Sequence, residues 1–546
     1  MLLLIAAVVG LGLIAYGVLT QFPLLRSPMG ARATRAPAAP VQALSAPIAL
    51  AASDRTTRQR TAVRQVEFRV IGLSIVAIVA WVALYHWYSL ADHFVPDFAF
   101  DKIPDHFNSL ILQGSVLAFL VITATYVAVF WLLKQTATLS PTLKVIIVLF
   151  VACVGLVNIG LYPVGALDVF YYIVQLKLPY VHHVNPYLTT PLQISPGDSA
   201  NSFAFALGLQ LYFGPAWVLV SWIPTTVTGF SDLQTTLVGL KVFNLALLAV
   251  TAVLLYKYQD DDKRGWVAVF LFLANPLVLF EGVGNAHNDV MMAFFLVASM
   301  LALARGSWLA GPLLALSILV KWFSAGLIPL FIVVILMNRW PRQKALLATL
   351  GALAVGVACS LPFWAGGHMM SGLAQGLSSS QDIMRSTSVS SLLREFLDQG
   401  GAAPATISLL QTALYGVFGV FALAMLWPVW RGRAYELAAN DTFLAFSVLL
   451  SLLFPWYLIT AFAVIALRRT RSSMGFLIVA TTLGLLYHPL SVWAWFNSGL
   501  QPIQIHLFQA LLLTVPILIF LSMELAGSDM RRATSTRTRP ATIARP

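Results

Sequence analysis

Apolar runs of membrane-spanning length recur from one end of this chain to the other. They include "LLLIAAVVGLGLIAYGVL" near the start, "VIGLSIVAIVAWVALY" at 70–85, "LAFLVITATYVAVFWLL" at 117–133, "VFNLALLAVTAVLLY" at 242–256 and "ALLLTVPILIFLSMEL" at 510–525. A bilayer core takes about 20 such residues per helix. A soluble protein could bury one or two such helices, but not this many. With 59% hydrophobic and 10% charged residues, the composition agrees, and an all-α polytopic membrane protein follows. Cys153 and Cys359 both lie in apolar spans, so they form no metal set and no evident disulfide.

The net charge of +12 does not point to nucleic acid, because the positive residues sit in short loops between spans and at the C-terminus. In that position they report topology and contact with anionic lipid. The opening run has no basic n-region and no clear cleavage site, so 1–22 reads as a retained first span. Residues 23–69, rich in Arg, Ala and Pro, read as a flexible basic cytoplasmic linker. Further spans follow over 70–140, a main helical domain over 141–525, and a basic cytoplasmic tail over 526–546.

Positive-inside bookkeeping settles one ambiguity. The stretch "ALGLQLYFGPAWVLVSWIP" (206–224) is apolar, but Gly214-Pro215 interrupts it. Taken as a full span, it would move "KYQDDDKRG" (257–265), "RWPRQK" (339–344), "RGR" (431–433) and "RRTR" (468–471) outside. Taken as helices at or re-entering the outer surface, it leaves every basic cluster in the cytoplasm. The second choice predicts about 13–15 segments, some short or broken, with irregular backbone sheltered by protein or a wet cavity.

With that topology the unusual polar groups converge on the outer side. Asp168 follows the outer end of a span, and "NAHND" (285–289) opens another. Lys321 sits between two apolar half-segments, and "FPWY" (454–457) and His488 occupy further outer turns. Interfacial anchoring accounts for many tryptophans and tyrosines. It accounts poorly for ionisable groups beside the hydrocarbon, which are functional candidates by default. Helix capping explains one residue of Asn288 and Asp289, but not Asn285 and His287 as well. No HExxH pattern, phosphate loop, dinucleotide fingerprint or serine elbow is present. An enzyme of this kind needs a substrate that is already activated and already in the membrane.

Over about 144–460 the chain resembles the multi-spanning glycosyltransferases of the GT-C class, in particular bacterial mannosyltransferases that use polyprenyl-phosphate mannose. The carrying stretches are "GALDVFYYIVQLKLPYVHHVNPYLTTP", "YFGPAWVLVSWIP", "NPLVLFEGVGNAHNDVMMAFFLVASM", "LVKWFSAGLIPLFI", "RSTSVSSLL" and "FPWYLITAF". Ala286 stands where a glycine before the histidine is more usual. The resemblance implies a GT-C-like bundle with external loops and short juxtamembrane helices, and makes Asp168 the catalytic base. It implies donor or acceptor binding by Tyr171, Tyr172, Asn185, Tyr187, Asn285, His287, Asn288, Asp289, Lys321, Arg385 and His488. The expected partners are a polyprenyl-phosphate sugar donor, a lipid-linked or oligosaccharide acceptor, and membrane lipids, with no nucleic acid. No cofactor is expected, and metal dependence is open. The expected reaction is inverting transfer of a hexose, most readily mannose, to a glycolipid or polysaccharide, with the site facing outward from the cell membrane. A transporter or flippase of lipid-linked sugars would show paired half-repeats and polar groups open to both sides. A non-catalytic scaffold for envelope assembly would have no need of Asp168 beside an external polar loop.

Overall fold

The computed structural model of the chain describes residues 46–94, 108–383, 388–449 and 453–535, with side chains described over 63–94, 108–380, 388–449 and 453–526. The expected span at 1–22, the linker before residue 46 and the end of the C-terminal tail lie outside the described residues. Within them every regular element is helical, and one isolated bridge joins Ser89 to Leu161. The polytopic all-α reading therefore holds. Among the described residues eight helices are long and apolar enough to cross a membrane, or nine if a pair bent by 51° counts as one span, and four shorter apolar helices accompany them.

The main helices are α1 (Ala46–Trp87), α2 (Ser109–Gln135), α3 (Pro141–Gly160), α4 (Asp168–Tyr180), α5 (Pro215–Thr228), α6 (Leu233–Tyr258), α7 (Asp262–Leu273), α8 (Asp289–Ala304) and α9 (Ala310–Val320). They continue with α10 (Ile328–Met337), α11 (Arg342–Ser360), α12 (His368–Ile383), α13 (Val389–Gln399), α14 (Pro404–Ala424), α15 (Tyr435–Leu449), α16 (Leu458–Leu467), α17 (Arg471–Asn497) and α18 (Pro502–Ser535). Their starts are written in the sequence. Ser140, followed by Pro141 in the first turn, caps α3 through the N–H of Leu143. Asp232 caps α6 through Thr235, and Thr470 forms a capping box with Ser473 on α17. Residues 46–69, expected as flexible linker, extend α1 instead, since their Ala, Arg and Gln content favours helix.

The Gly214-Pro215 break behaves as expected. Pro215 occupies the first turn of α5, and Gly229 ends that helix in the left-handed conformation after 14 residues. At 1.5 Å per residue α5 is about 21 Å long, too short for a bilayer core.

The two ends of the bundle differ in chemistry. At one end the basic loops meet: Lys144 pairs with Asp262 at 2.9 Å, and Arg305 donates to the Lys257 carbonyl at 3.1 Å. Arg469 donates to the Arg264 carbonyl at 3.3 Å, and Arg433 lies 2.6 Å from Asp441 and 3.4 Å from Glu524. The turns that carry Asp168, residues 281–289, Lys321 and "FPWY" gather away from them, and His488 joins them from within α17 rather than from the outer turn expected, since the helix runs unbroken through Pro489. Peripheral helices turn apolar side chains outward, such as Leu353 and Val357 on α11 and Leu409 and Val420 on α14. Such faces suit lipid rather than water.

Candidate active site

The site is built where α3 hands over to α4. Helix α3 ends at Gly160, and Lys241 of α6 reaches its last turn. Fully buried, the Lys241 ammonium donates to the carbonyl of Asn158 at 3.2 Å and to that of Leu161. A cation is favourable at a helix C-terminus, where the carbonyls lack partners. Lys241 thereby fixes the start of the turn 161–167, at whose end Asp168 opens α4. Midway, the N–H of Gly165 donates to Oδ1 of Asn285 at 3.2 Å. A side chain at Gly165 would strike the Asn285 amide and the His488 ring.

Across from this turn, a π-helical turn at Phe280–Gly284 ends the second half of the bent pair, whose break lies at 274–275, and presents Glu281 to the interior. Asn244 holds the turn by donating to the carbonyls of Gly282 at 2.8 Å and His287 at 3.0 Å. The Glu281 carboxylate is fully buried. Its Oε1 lies 2.6 Å from Nε2 of His488, and its Oε2 accepts from Asn285 at 2.9 Å. Nε2 of His287 is 3.3 Å from Oε2, without hydrogen-bond alignment. The His287 ring stacks on Trp456, with centroids 3.9 Å apart and planes 13° apart, and its Nδ1 lies 3.5 Å from the Tyr172 hydroxyl.

Asp289, fully buried in the first turn of α8, accepts from Lys321 at 2.9 and 3.2 Å. Lys321 occupies the extended hinge after α9, and its ammonium also sits 4.2 Å from the centre of the Tyr457 ring. The N–H of Gly214 donates to the Val320 carbonyl at 3.1 Å, so the loop before α5 holds the Lys321 hinge.

Asp168 is half-buried at the N-terminus of α4, and among the described residues no side chain bonds its carboxylate. Burial raises its pKa above the ordinary value; the nearby charges of His287 and Lys321 oppose that shift, and Asp289 adds to it. Asp168 thus faces a cluster made of His287, Lys321 and Asp289. An unbonded carboxylate near the Lys321 ammonium and the His287 ring can accept a proton from a hydroxyl while the ammonium opposes developing negative charge.

The expected residues divide in four. Asp168, Asn285, His287, Asn288, Asp289, Lys321 and His488 gather in one buried region, with Tyr172 against His287. Tyr171 stands beside Asp168 in an aromatic wall, stacked on Tyr212 and Phe205 at 5.3 and 5.7 Å. Asn185 and Tyr187 tie loops together: Asn185 donates to the Phe363 carbonyl at 2.7 Å, and Tyr187 to that of Phe213 at 2.9 Å. Arg385 lies outside the described residues. Sequence reasoning counted Glu281, the single acid between Trp266 and Asn288, in the polar stretch 281–295 without giving it a role, and passed over Lys241, the single charge between Leu233 and Tyr256. Isolation in an apolar stretch was the available signal for both.

A narrow, mostly apolar crevice runs between α1, α2 and α17. Leu84, Phe119, Phe280, His488 and Val492 are among the residues that line it. Among the described residues no three of His, Cys, Asp and Glu are grouped to hold a metal ion.

Residues 69–338 match the family model described as the N-terminal domain of alpha-(1->6)-mannopyranosyltransferase. The chain is also 26% identical, over 266 residues, to alpha-(1->6)-mannopyranosyltransferase A of Mycobacterium tuberculosis; the match covers 45% of this chain. It spans 50% of the relative, so this chain covers about half the length of the curated protein it matches. No solved structure matches the chain. Over residues 69–338 the protein is thus similar to the N-terminal domain of the α-mannosyltransferases, and the resemblance to GT-C membrane glycosyltransferases read from its sequence holds.

Proposed function

We propose that this chain transfers mannose from a polyprenyl-phosphate donor to a hydroxyl of a glycolipid or polysaccharide acceptor at the external membrane face, with inversion at the anomeric carbon. One observation carries the reading: the half-buried carboxylate of Asp168, unbonded among the described side chains, faces the His287 and Lys321–Asp289 cluster. In the proposed step the acceptor oxygen bonds to the anomeric carbon and its proton passes to Asp168. The bond from that carbon to the phosphate oxygen breaks, and polyprenyl phosphate leaves with the electron pair. A phosphate leaving group needs no proton, so one base suffices. A β-linked donor gives an α-glycoside.

Lys321 and His287 are placed to balance charge on the departing phosphate. The outward orientation is supported by the gathering of the basic loops at the opposite end.

The test is transfer by purified protein from radiolabelled polyprenyl-phosphate mannose to a panel of lipid-linked and oligosaccharide acceptors. Asp168→Asn is expected to fold and to lose about 10²–10⁴ in rate, the usual contribution of a general base. Near-normal turnover by that variant overturns the assignment.

A further inference from the structure

The aromatic wall beside Asp168 contains a hydroxyl that the fold does not use. Tyr212, in the loop before α5, is 7% exposed, and its ring packs on Tyr171 and, at 4.5 Å, on Phe213. Neighbouring tyrosines spend their hydroxyls on the protein. Tyr171 donates to the Gln210 carbonyl at 3.4 Å, Tyr180 to that of Val218 at 2.7 Å, and Tyr187 to that of Phe213 at 2.9 Å. The Tyr212 hydroxyl has no hydrogen-bond partner among the described residues. Phenylalanine would fill the same aromatic stack equally well, so packing alone does not call for that oxygen.

A second orphan lies close by. Asn288 sits between His287 and Asp289, is 3% exposed, and makes no capping bond at the start of α8. Neither its Nδ2 nor its Oδ1 has a partner among the described residues. The Tyr172 hydroxyl adjoins the Asn288 N–H, and Tyr172 and Asp168 are also among the groups near the Tyr212 hydroxyl. Two unpartnered polar side chains therefore sit around Tyr172, beside the candidate base. Buried polar groups are almost always bonded, and in a binding site the missing partners belong to the ligand.

We propose that Tyr212 and Asn288 form a hydroxyl-recognition pair for a pyranose ring, which makes them specificity-determining residues of the transfer reaction. The inference rests on the glycosyl-transfer reading above. The Asn288 carboxamide accepts from one ring hydroxyl and donates to its neighbour, as a vicinal diol requires, and the Tyr212 hydroxyl bonds a further oxygen. The ring is that of the donor mannose or of the acceptor sugar, and the two are separable by experiment.

Transfer is measured with polyprenyl-phosphate mannose and its monodeoxy analogues, and in parallel with monodeoxy acceptors, for wild type, Tyr212→Phe and Asn288→Ala. Wild type is expected to disfavour at least one deoxy analogue by about tenfold or more. Tyr212→Phe, which keeps the stack, should lose about tenfold in kcat/KM on the parent sugar and turn over that one analogue at the wild-type rate. Asn288→Ala should do the same at a different position of the same ring. A collapse in the donor series assigns the pair to mannose, and one in the acceptor series assigns it to the acceptor; both support the pair. A deoxy profile in Tyr212→Phe identical to wild type in both series overturns this inference while leaving the proposed reaction standing. Absence of transfer by wild type overturns both. Should Asn288→Ala fail to fold, Tyr212→Phe decides alone.

Discussion

Nε2 of His488 lies 2.6 Å from Oε1 of Glu281 across 207 positions of sequence, while the other oxygen of the same carboxylate accepts from Asn285 at 2.9 Å. One buried acid thus joins α17, the π-helical turn and, through Asn285, the turn that leads to Asp168. These bonds make Glu281 a candidate for positioning the turn that carries Asp168.

Glu281→Gln keeps the size of the side chain but replaces a charge-assisted acceptor on His488 by a neutral one. Hydrogen bonds to charged groups contribute about 1.5–3 kcal/mol, so kcat/KM for transfer should fall about ten- to a hundredfold with the fold retained. Glu281→Leu should also lower thermal stability, because it leaves the Asn285 amide and the His488 ring unsatisfied. Wild-type activity in the Gln variant would remove Glu281 from the site.

Asp168 predicts a pH dependence. Its folded pKa is raised by burial, so protonation begins at a higher pH than for a solvated carboxyl. A base must be ionised, and activity should therefore fall with an acid limb above pH ~4. The stability effect has the opposite direction. Ionisation costs more in the folded than in the unfolded chain, so the wild-type side chain disfavours the fold at pH values above its unfolded pKa and not below. Asp168→Asn removes that cost. Its melting temperature at pH 7 should equal or exceed that of wild type while transfer is lost, as thermal unfolding in detergent would show. A large fall in melting temperature would mean that the carboxylate is structural.

Local chemistry decided how much was readable beforehand. The spans, the Gly214-Pro215 break and the convergence of Asp168, His287, Asp289, Lys321 and His488 all rest on patterns short enough to see in a string: apolar length, a helix breaker, and charges where charges are costly. Glu281 was harder, because its meaning lies in His488, far along the chain, and no local rule pairs them. Lys241 escaped for the same reason, since its partners are carbonyls of another helix. The resemblance alone assigns Asn185 and Tyr187 to ligand binding, and it says nothing of their bonds within the protein. Their bonds to Phe363 and Phe213 become visible only once the chain has folded.

Ala286 adopts φ 56° and is buried between Asn285 and His287. That backbone region favours glycine, which accounts for the more usual glycine before the histidine. Ala286→Gly should raise stability by up to about 1 kcal/mol, the relief of left-handed strain less the greater freedom of glycine in the unfolded chain. Ala286→Val should lower it and misplace His287. Denaturant melts of the three proteins provide the check, and a less stable glycine variant contradicts the argument.

The Lys321–Asp289 pair separates a structural role from a chemical one. Both groups are buried and bonded at 2.9 and 3.2 Å, so removing one charge strands the other. Lys321→Met should cost about 3–5 kcal/mol, since the Asp289 carboxylate is left without compensation. Adding Asp289→Asn removes the stranded charge and should return most of that stability, because replacing a buried pair by neutral groups is often nearly neutral. Transfer should not return with it if the ammonium also balances charge on the leaving phosphate. Thermal unfolding and transfer rates of the single and double variants together provide the test. Activity that recovers in step with stability would make the pair a strut and pass the phosphate to His287 or to other cations.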